Sequence, residues 1–159
     1  MVIKEIDFNE LKTIELNFKI STPFLTYEWL KFLEKDKKIK PVLLSIVEND
    51  ILKAYFVGGI EKKFGLNIFG SPFEGWLTSN MGFITINEFN INDALLEIKK
   101  FLFKVKKCAF IRIVDYSIQE KDLNNIRIYE KIPLVYFDNS RDTDTILKEF
   151  KQSTRMEQL

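Results

Sequence analysis

The chain contains no histidine among its 159 residues. That absence removes the commonest general base, the commonest zinc ligand, and the Ser-His and Cys-His nucleophile pairs together. Chemistry in this chain would have to rest on carboxylates, tyrosine or a cofactor, and no metal site is expected. Cysteine is nearly absent too: Cys108 stands alone and cannot form an internal disulfide. Its flanks (Val105, Ala109, Phe110, Ile111) mark it as a small buried hydrophobe, which suits a reduced cytoplasm. No apolar run reaches the roughly 18 residues of a membrane span. The N-terminus (residues 1–10) is mixed and acidic, without the cationic start and apolar stretch of a secretory signal. Net charge is also missing. Lysine and arginine number 24 against 23 acidic residues, so no overall field draws in DNA or an anionic membrane, and partners must be argued from local features.

Apolar residues make up 46% and charged residues 30% of the chain, a globular balance, and fifteen phenylalanines promise a bulky core. The length suits one domain with one core. No repeat or low-complexity tract interrupts it. Residues 1–20 alternate only weakly and assign to no element. Thr26 can cap a helix that places Leu25, Trp29, Phe32 and Leu33 on one face, ending before Pro41. The β-branched and aliphatic run 42–47, the turn residues Glu48-Asn49-Asp50 and the run 51–60 read as a β-hairpin. Gly58-Gly59 suggests a bulge or a close backbone approach, and Lys62-Lys63-Phe64-Gly65 turns into a third strand over 66–69.

Helical spacing of Ile91, Leu95, Ile98, Leu102 and Val105 predicts an amphipathic helix to about Lys106, capped by Asn90 or Asn92. The apolar run 109–114 reads as a buried, central strand broken only by Arg112. A β-rich segment over 126–138 holds Pro133, which favours an edge, and a last helix opens at Asp142 with Ile146, Leu147 and Phe150 inward. The order predicts an α/β (α+β mixed) fold: a mixed, mainly antiparallel sheet with helices packed on both faces.

Residues 70–82 are the least regular stretch, with three of the six glycines and an aromatic at a loop position. A loop of this length without regular structure is uncommon unless it serves a function. Glu74, Trp76, Thr78 and Asn80 could line an acceptor cleft, the indole as apolar wall and the polar groups fixing orientation. Equally, they could only close a long connection over the sheet. Asp115 and Tyr116 follow the run 109–114, where α/β sheets place ligand-facing groups, yet such residues also simply end strands. The lysine runs at 35–40 and 99–107 lack interleaved aromatics and are balanced by acids, so they read as solvated faces.

Thr22-Pro23-Phe24, then Tyr27-Glu28-Trp29-Leu30, the hairpin, Gly70-Ser71-Pro72, Gly75-Trp76 and Met81-Gly82 together resemble the N-terminal lobe of FemAB-like, GNAT-type N-acyltransferases. The ending Lys151-Gln152-Ser153-Thr154-Arg155 resembles the passage from the first lobe of those proteins to the second. The resemblance implies a GNAT-like lobe over 1–150, with 151–159 opening a connection to a second lobe that carries the acyl-donor site. It further implies an acceptor role for Glu74, Trp76, Thr78 and Asn80, with acyl-CoA as cofactor of the two-lobed whole. The substrate-binding candidate Arg155, with Ser153 and Thr154, could meet a phosphate or a carboxylate once a second lobe is present, or simply be a solvated terminus. No phosphate-cradling Gly-rich loop before a helix is found here, so no cofactor is expected in this chain and no residue is marked as catalytic. A non-catalytic GNAT-like module that binds a second subunit or dimerises is the alternative, with Phe101, Phe103 and Phe110 as its apolar surface. A truncated fragment is the third reading.

Overall fold

A computed structural model describes residues 1–124 and 126. The strand expected over 126–138, the helix from Asp142, the connection over 151–159 and Arg155 lie outside the described residues.

The hydrophobic pattern of residues 40–71 builds the centre of the molecule. Strands β2 (Lys40–Glu48), β3 (Ile51–Lys63) and β4 (Leu66–Ser71) form an antiparallel meander joined by two tight turns. Both turns place their two residues at positive φ: Asn49 at 51° and Asp50 at 61°, then Phe64 at 51° and Gly65 at 79°. That backbone matches the right-handed twist of the strands it joins. Strand β1 (Val2–Ile6) pairs antiparallel with β2, followed by helix α1 (Leu11–Asn17); these are the elements that weak alternation leaves unassigned. Helix α2 (Tyr27–Lys37) starts at Thr26, whose Oγ1 accepts from the Trp29 amide at 3.4 Å. It ends at Lys38, which adopts the left-handed conformation that stops a helix. Helix α3 (Ile91–Lys104) is capped by Asn90, whose Oδ1 accepts from the Asp93 amide at 3.1 Å. Asn92 is buried instead and receives the Asn124 amide on its Oδ1.

Helix α3 crosses over to β6 (Cys108–Ile113), which joins β4 in parallel. The row of strands is β1-β2-β3-β4-β6, with the short β5 (Phe83–Thr85) on β3. The sheet is therefore mixed and mainly antiparallel. Alternation along its strands feeds two cores. Val42, Leu44, Ile46, Phe56 and Phe69 pack with Leu95, Ile98 and Leu102 of α3 on one face. Leu43 and Val57 pack with Leu11 and Ile14 of α1, Leu30 and Leu33 of α2, and Trp76 on the other. Each fully buried large side chain contributes about 1.5–3 kcal/mol relative to exposure, so these two layers dominate stability.

Gly58 and Gly59 mark close approaches and sit in regular register, while the irregularity of the hairpin lies at Ile46/Val47. A Cβ on Gly58 would stand 2.3 Å from the Phe69 ring; one on Gly59 would stand 2.6 Å from Ile39 and 3.1 Å from the Trp76 indole. The expectation that the strand over 109–114 is buried needs correction. Cys108 is buried, Ala109 and Phe110 are exposed, and among the described strands β6 pairs with β4 alone. The cause is its two-faced environment: Ile111 and Ile113 pack on the α3 core, whereas Phe110 and Arg112 look toward the loop 70–82.

Candidate functional site

The loop 70–82 is an excursion from one edge of β3. That strand pairs with β4 along its C-terminal half and with β5 along its N-terminal half, and the chain between them leaves and returns at Val57. Ser71, fully buried, donates its hydroxyl to the Val57 carbonyl at 2.5 Å. The Val57 amide in turn donates to the Gly82 carbonyl at 2.9 Å. The base of the loop is therefore closed on a single residue of the central strand.

Strand β6 and the residues after it tie the loop down. The Val114 amide donates to the Ser71 carbonyl at 2.7 Å, and the Val114 carbonyl accepts from the Met81 amide at 2.9 Å. Asp115 Oδ2 accepts from the Phe83 amide at 2.8 Å, while its Oδ1 accepts from the amide and hydroxyl of Ser117 at 2.8 and 2.6 Å. Gly82 makes room for that carboxylate: at φ +133°, a Cβ would lie 2.0 Å from Asp115 Oδ2. Both oxygens of Asp115 are thus engaged in holding backbone. Tyr116 donates its hydroxyl to the Ser79 carbonyl at 3.1 Å, and Arg112 donates to the Pro72 carbonyl at 3.1 Å. The peptide bond between Ser71 and Pro72 is cis.

The predicted residues separate under this geometry. Glu74 is the most open, its side chain 85% exposed and its Oε1 3.6 Å from Arg112. Thr78 is half-buried; its Oγ1 accepts from the Trp29 indole at 2.9 Å and donates to the Trp76 carbonyl at 3.0 Å. Asn80 is half-buried and accepts from Ser79 at 3.2 Å. Trp76 departs from expectation. Only 2% exposed, it belongs to the α1/α2 core, so its ring is not available as a cleft wall. The Gly59 surface that admits it against β3 explains why a loop aromatic can sink this deep. Its Nε1 is buried and has no hydrogen-bond partner among the described residues.

Glu74, Arg112, Thr78 and Asn80 therefore share one rigid loop and its strand support, a polar surface with one open carboxylate beside a guanidinium. Sequence reasoning missed Arg112 and Trp29 as loop partners; only three-dimensional proximity joins positions 29, 78 and 112. Burial pushes the Cys108 thiol up from its ordinary range, with Lys106 opposing weakly, so the one thiol is a core group. Among the described residues no group of acidic or cysteine side chains could hold a metal ion, and no helix is long and apolar enough to cross a membrane. A shallow depression of about 240 Å³ beside the start of α3, lined by Phe89, Asn90, Ile91, Lys121 and Asn124, is smaller than usual ligand sites. Comparison with protein-family models, with curated proteins and with solved structures found no match to this chain.

Proposed function

We propose that the chain serves as the first lobe of a FemAB-like, GNAT-type N-acyltransferase, in which the loop 70–82 shapes the acceptor site and a second lobe binds the acyl donor. The observation that carries this reading is the anchoring of the loop. Seven hydrogen bonds from Val57, Arg112, Val114, Asp115 and Tyr116 hold it, yet Glu74 is left open to solvent. An anchored backbone presenting an exposed carboxylate, paired on one side with Arg112, is suited to orient an amine acceptor by a charge-assisted hydrogen bond. The mixed sheet, with its crossover through α3 into a parallel strand, is compatible with a GNAT-like lobe.

Titration with a lysyl peptide or an amino sugar, followed by NMR, tests the acceptor role. Shifts centred on residues 72–80 that disappear in Glu74→Gln support it; shifts elsewhere, or none, overturn it. Acetyl-CoA should not bind the 159-residue chain in calorimetry, and micromolar binding would contradict the division of labour between lobes. A second reading, a non-catalytic module that packs against another subunit, is favoured by Phe110, which is 54% exposed on the loop side of β6. Phe101 packs on the α3 core and does not contribute to such a surface. Sedimentation at rising concentration separates the two, since self-association abolished by Phe110→Ser would support the module.

A further inference from the structure

The near-neutral charge of the chain conceals a division between the two ends of the sheet. Register places the end of β3 and the starts of β2, β4 and β6 together: Lys40 lies opposite Ile60, Lys63 opposite Leu66, and Asn67 opposite Cys108. Helices α2 and α3 both finish at this end, and Asn67 ties the segment after α3 to β4 by donating to the Lys106 carbonyl at 2.9 Å. Lys38, Lys40, Lys62, Lys104 and Lys107 are exposed here, and none makes an ion pair among the described residues. The acidic neighbours Glu5, Asp36 and Glu61 are each already paired with a lysine, and Asp7, which follows β1 at this end, accepts from the Asn9 amide. At the opposite end, the turn between β2 and β3 carries Asp50 and the first turn of α3 carries Asp93. Lysine runs that look like separate solvated faces along the chain thus converge on one rim.

Apolar side chains are set among these lysines. Phe64 is 102% exposed, Val105 61% and Leu66 55%. The Phe64 position is the informative one. It holds φ of 51°, as Asn49 does in the matching turn between β2 and β3. Asn, Asp and Gly suit such turns, and a bulky side chain in the left-handed region is an outlier. Among the described residues, neither backbone preference nor burial accounts for a phenylalanine there.

We infer that this end of the sheet docks on the surface of an anionic lipid bilayer, with Phe64, Leu66 and Val105 entering the interfacial region and the unpaired lysines meeting lipid headgroups. Peripheral attachment of this kind takes an apolar and a basic contribution together, and the rim supplies both. Nucleic acid fits less well. Leu66 and Val105 give bases no stacking platform, and among the described residues no arginine lies at this end.

Co-sedimentation of the 159-residue chain with phosphatidylcholine vesicles, with and without phosphatidylglycerol, tests the inference. Partition is expected only with the anionic lipid, and it should fall as salt rises. Phe64→Asn should lower the partition coefficient roughly tenfold through loss of apolar insertion. The pair Lys62→Glu and Lys107→Glu should lower it by roughly tenfold or more. Phe64→Asn suits the turn, so thermal melts should show it folded and at least as stable as the parent, which removes misfolding as a cause. Absence of partition into anionic vesicles at low salt overturns the inference, as does partition unaffected by either variant. Binding of a single-stranded RNA oligonucleotide in place of vesicles, lost in the same variants, would assign the rim to nucleic acid and overturn it equally.

Discussion

Two connections from the central meander treat their aromatic residues in opposite ways. The tight turn between β3 and β4 holds Phe64 wholly in solvent, whereas the long excursion after β4 buries Trp76 to 2% exposure against Gly59. Length does not decide which loop is part of the core. What decides it is whether the sheet offers a surface: Gly59 clears a place for the indole on β3, while at the hairpin tip a Cβ on Gly65 would meet nothing within 4 Å. The long loop is thus structural at its centre and polar at its rim, and the short one has no structural use for its largest side chain.

The contrast can be broken most forcibly at Trp76. Trp76→Ala should cost about 3–5 kcal/mol in urea unfolding, the range for emptying a core position of that size. Trp76→Phe should cost far less, about 1–2 kcal/mol, because the indole N–H satisfies no partner among the described residues and only packing is lost. Equal losses in the two variants would show that the indole N–H matters after all.

Next in size is the clamp where the long loop returns. Gly82→Ala combines a disfavoured backbone with a collision against Asp115 and should cost about 3 kcal/mol. Asp115→Ala removes the acceptor for the Phe83 and Ser117 amides and should cost about 2 kcal/mol, with faster hydrogen exchange at Phe83. The double variant should lose less than the sum, since the colliding carboxylate is gone. Strict additivity would separate the two residues.

A smaller effect is expected from pH. Burial raises the Tyr55 phenol above its ordinary 10.0 and the Cys108 thiol above 9.0. A group whose folded pKa is raised contributes stability that is complete below the unfolded value and is lost as pH climbs through the folded one. Stability should therefore decline above about pH 9, a decline that Tyr55→Phe reduces in chemical denaturation at stepped pH. The smallest change, and the only one of opposite sign, belongs to the short connection. Phe64→Asn should raise stability by a few tenths of a kcal/mol, up to about 1, because asparagine suits the turn. A loss on that substitution would mean Phe64 has an intramolecular role.

Much of the architecture was legible along the chain, and the reasons are local. Thr26 and Asn90 announce their helices, the period of Ile91, Leu95, Ile98 and Leu102 is helical, and Asn49-Asp50 announces the hairpin. Strand β1 escaped because it pairs by register with β2 rather than by its own hydrophobicity, leaving the burial pattern along Val2–Ile6 weak. Strand β5 escaped because three residues carry no period. In the site, Glu74, Thr78 and Asn80 share the loop where composition placed them, but whether they take an acceptor is a matter for the titration. The burial of Trp76 was not legible, since it depends on a glycine seventeen positions away.

The meander also has a kinetic consequence. Strands β2, β3 and β4 are joined by turns of two residues, so their pairings close small loops and cost little chain entropy. The parallel partnership of β4 with β6 must wait for the whole crossover through α3, and with it comes the Asp115 clamp on the long loop. Contacts of such unequal sequence separation lead us to expect the hairpins to lie in the folding nucleus and the loop 70–82 to set late, on the native side of the barrier. Substitutions around Asp115 would then shorten the lifetime of the native state while leaving the speed of folding almost unchanged.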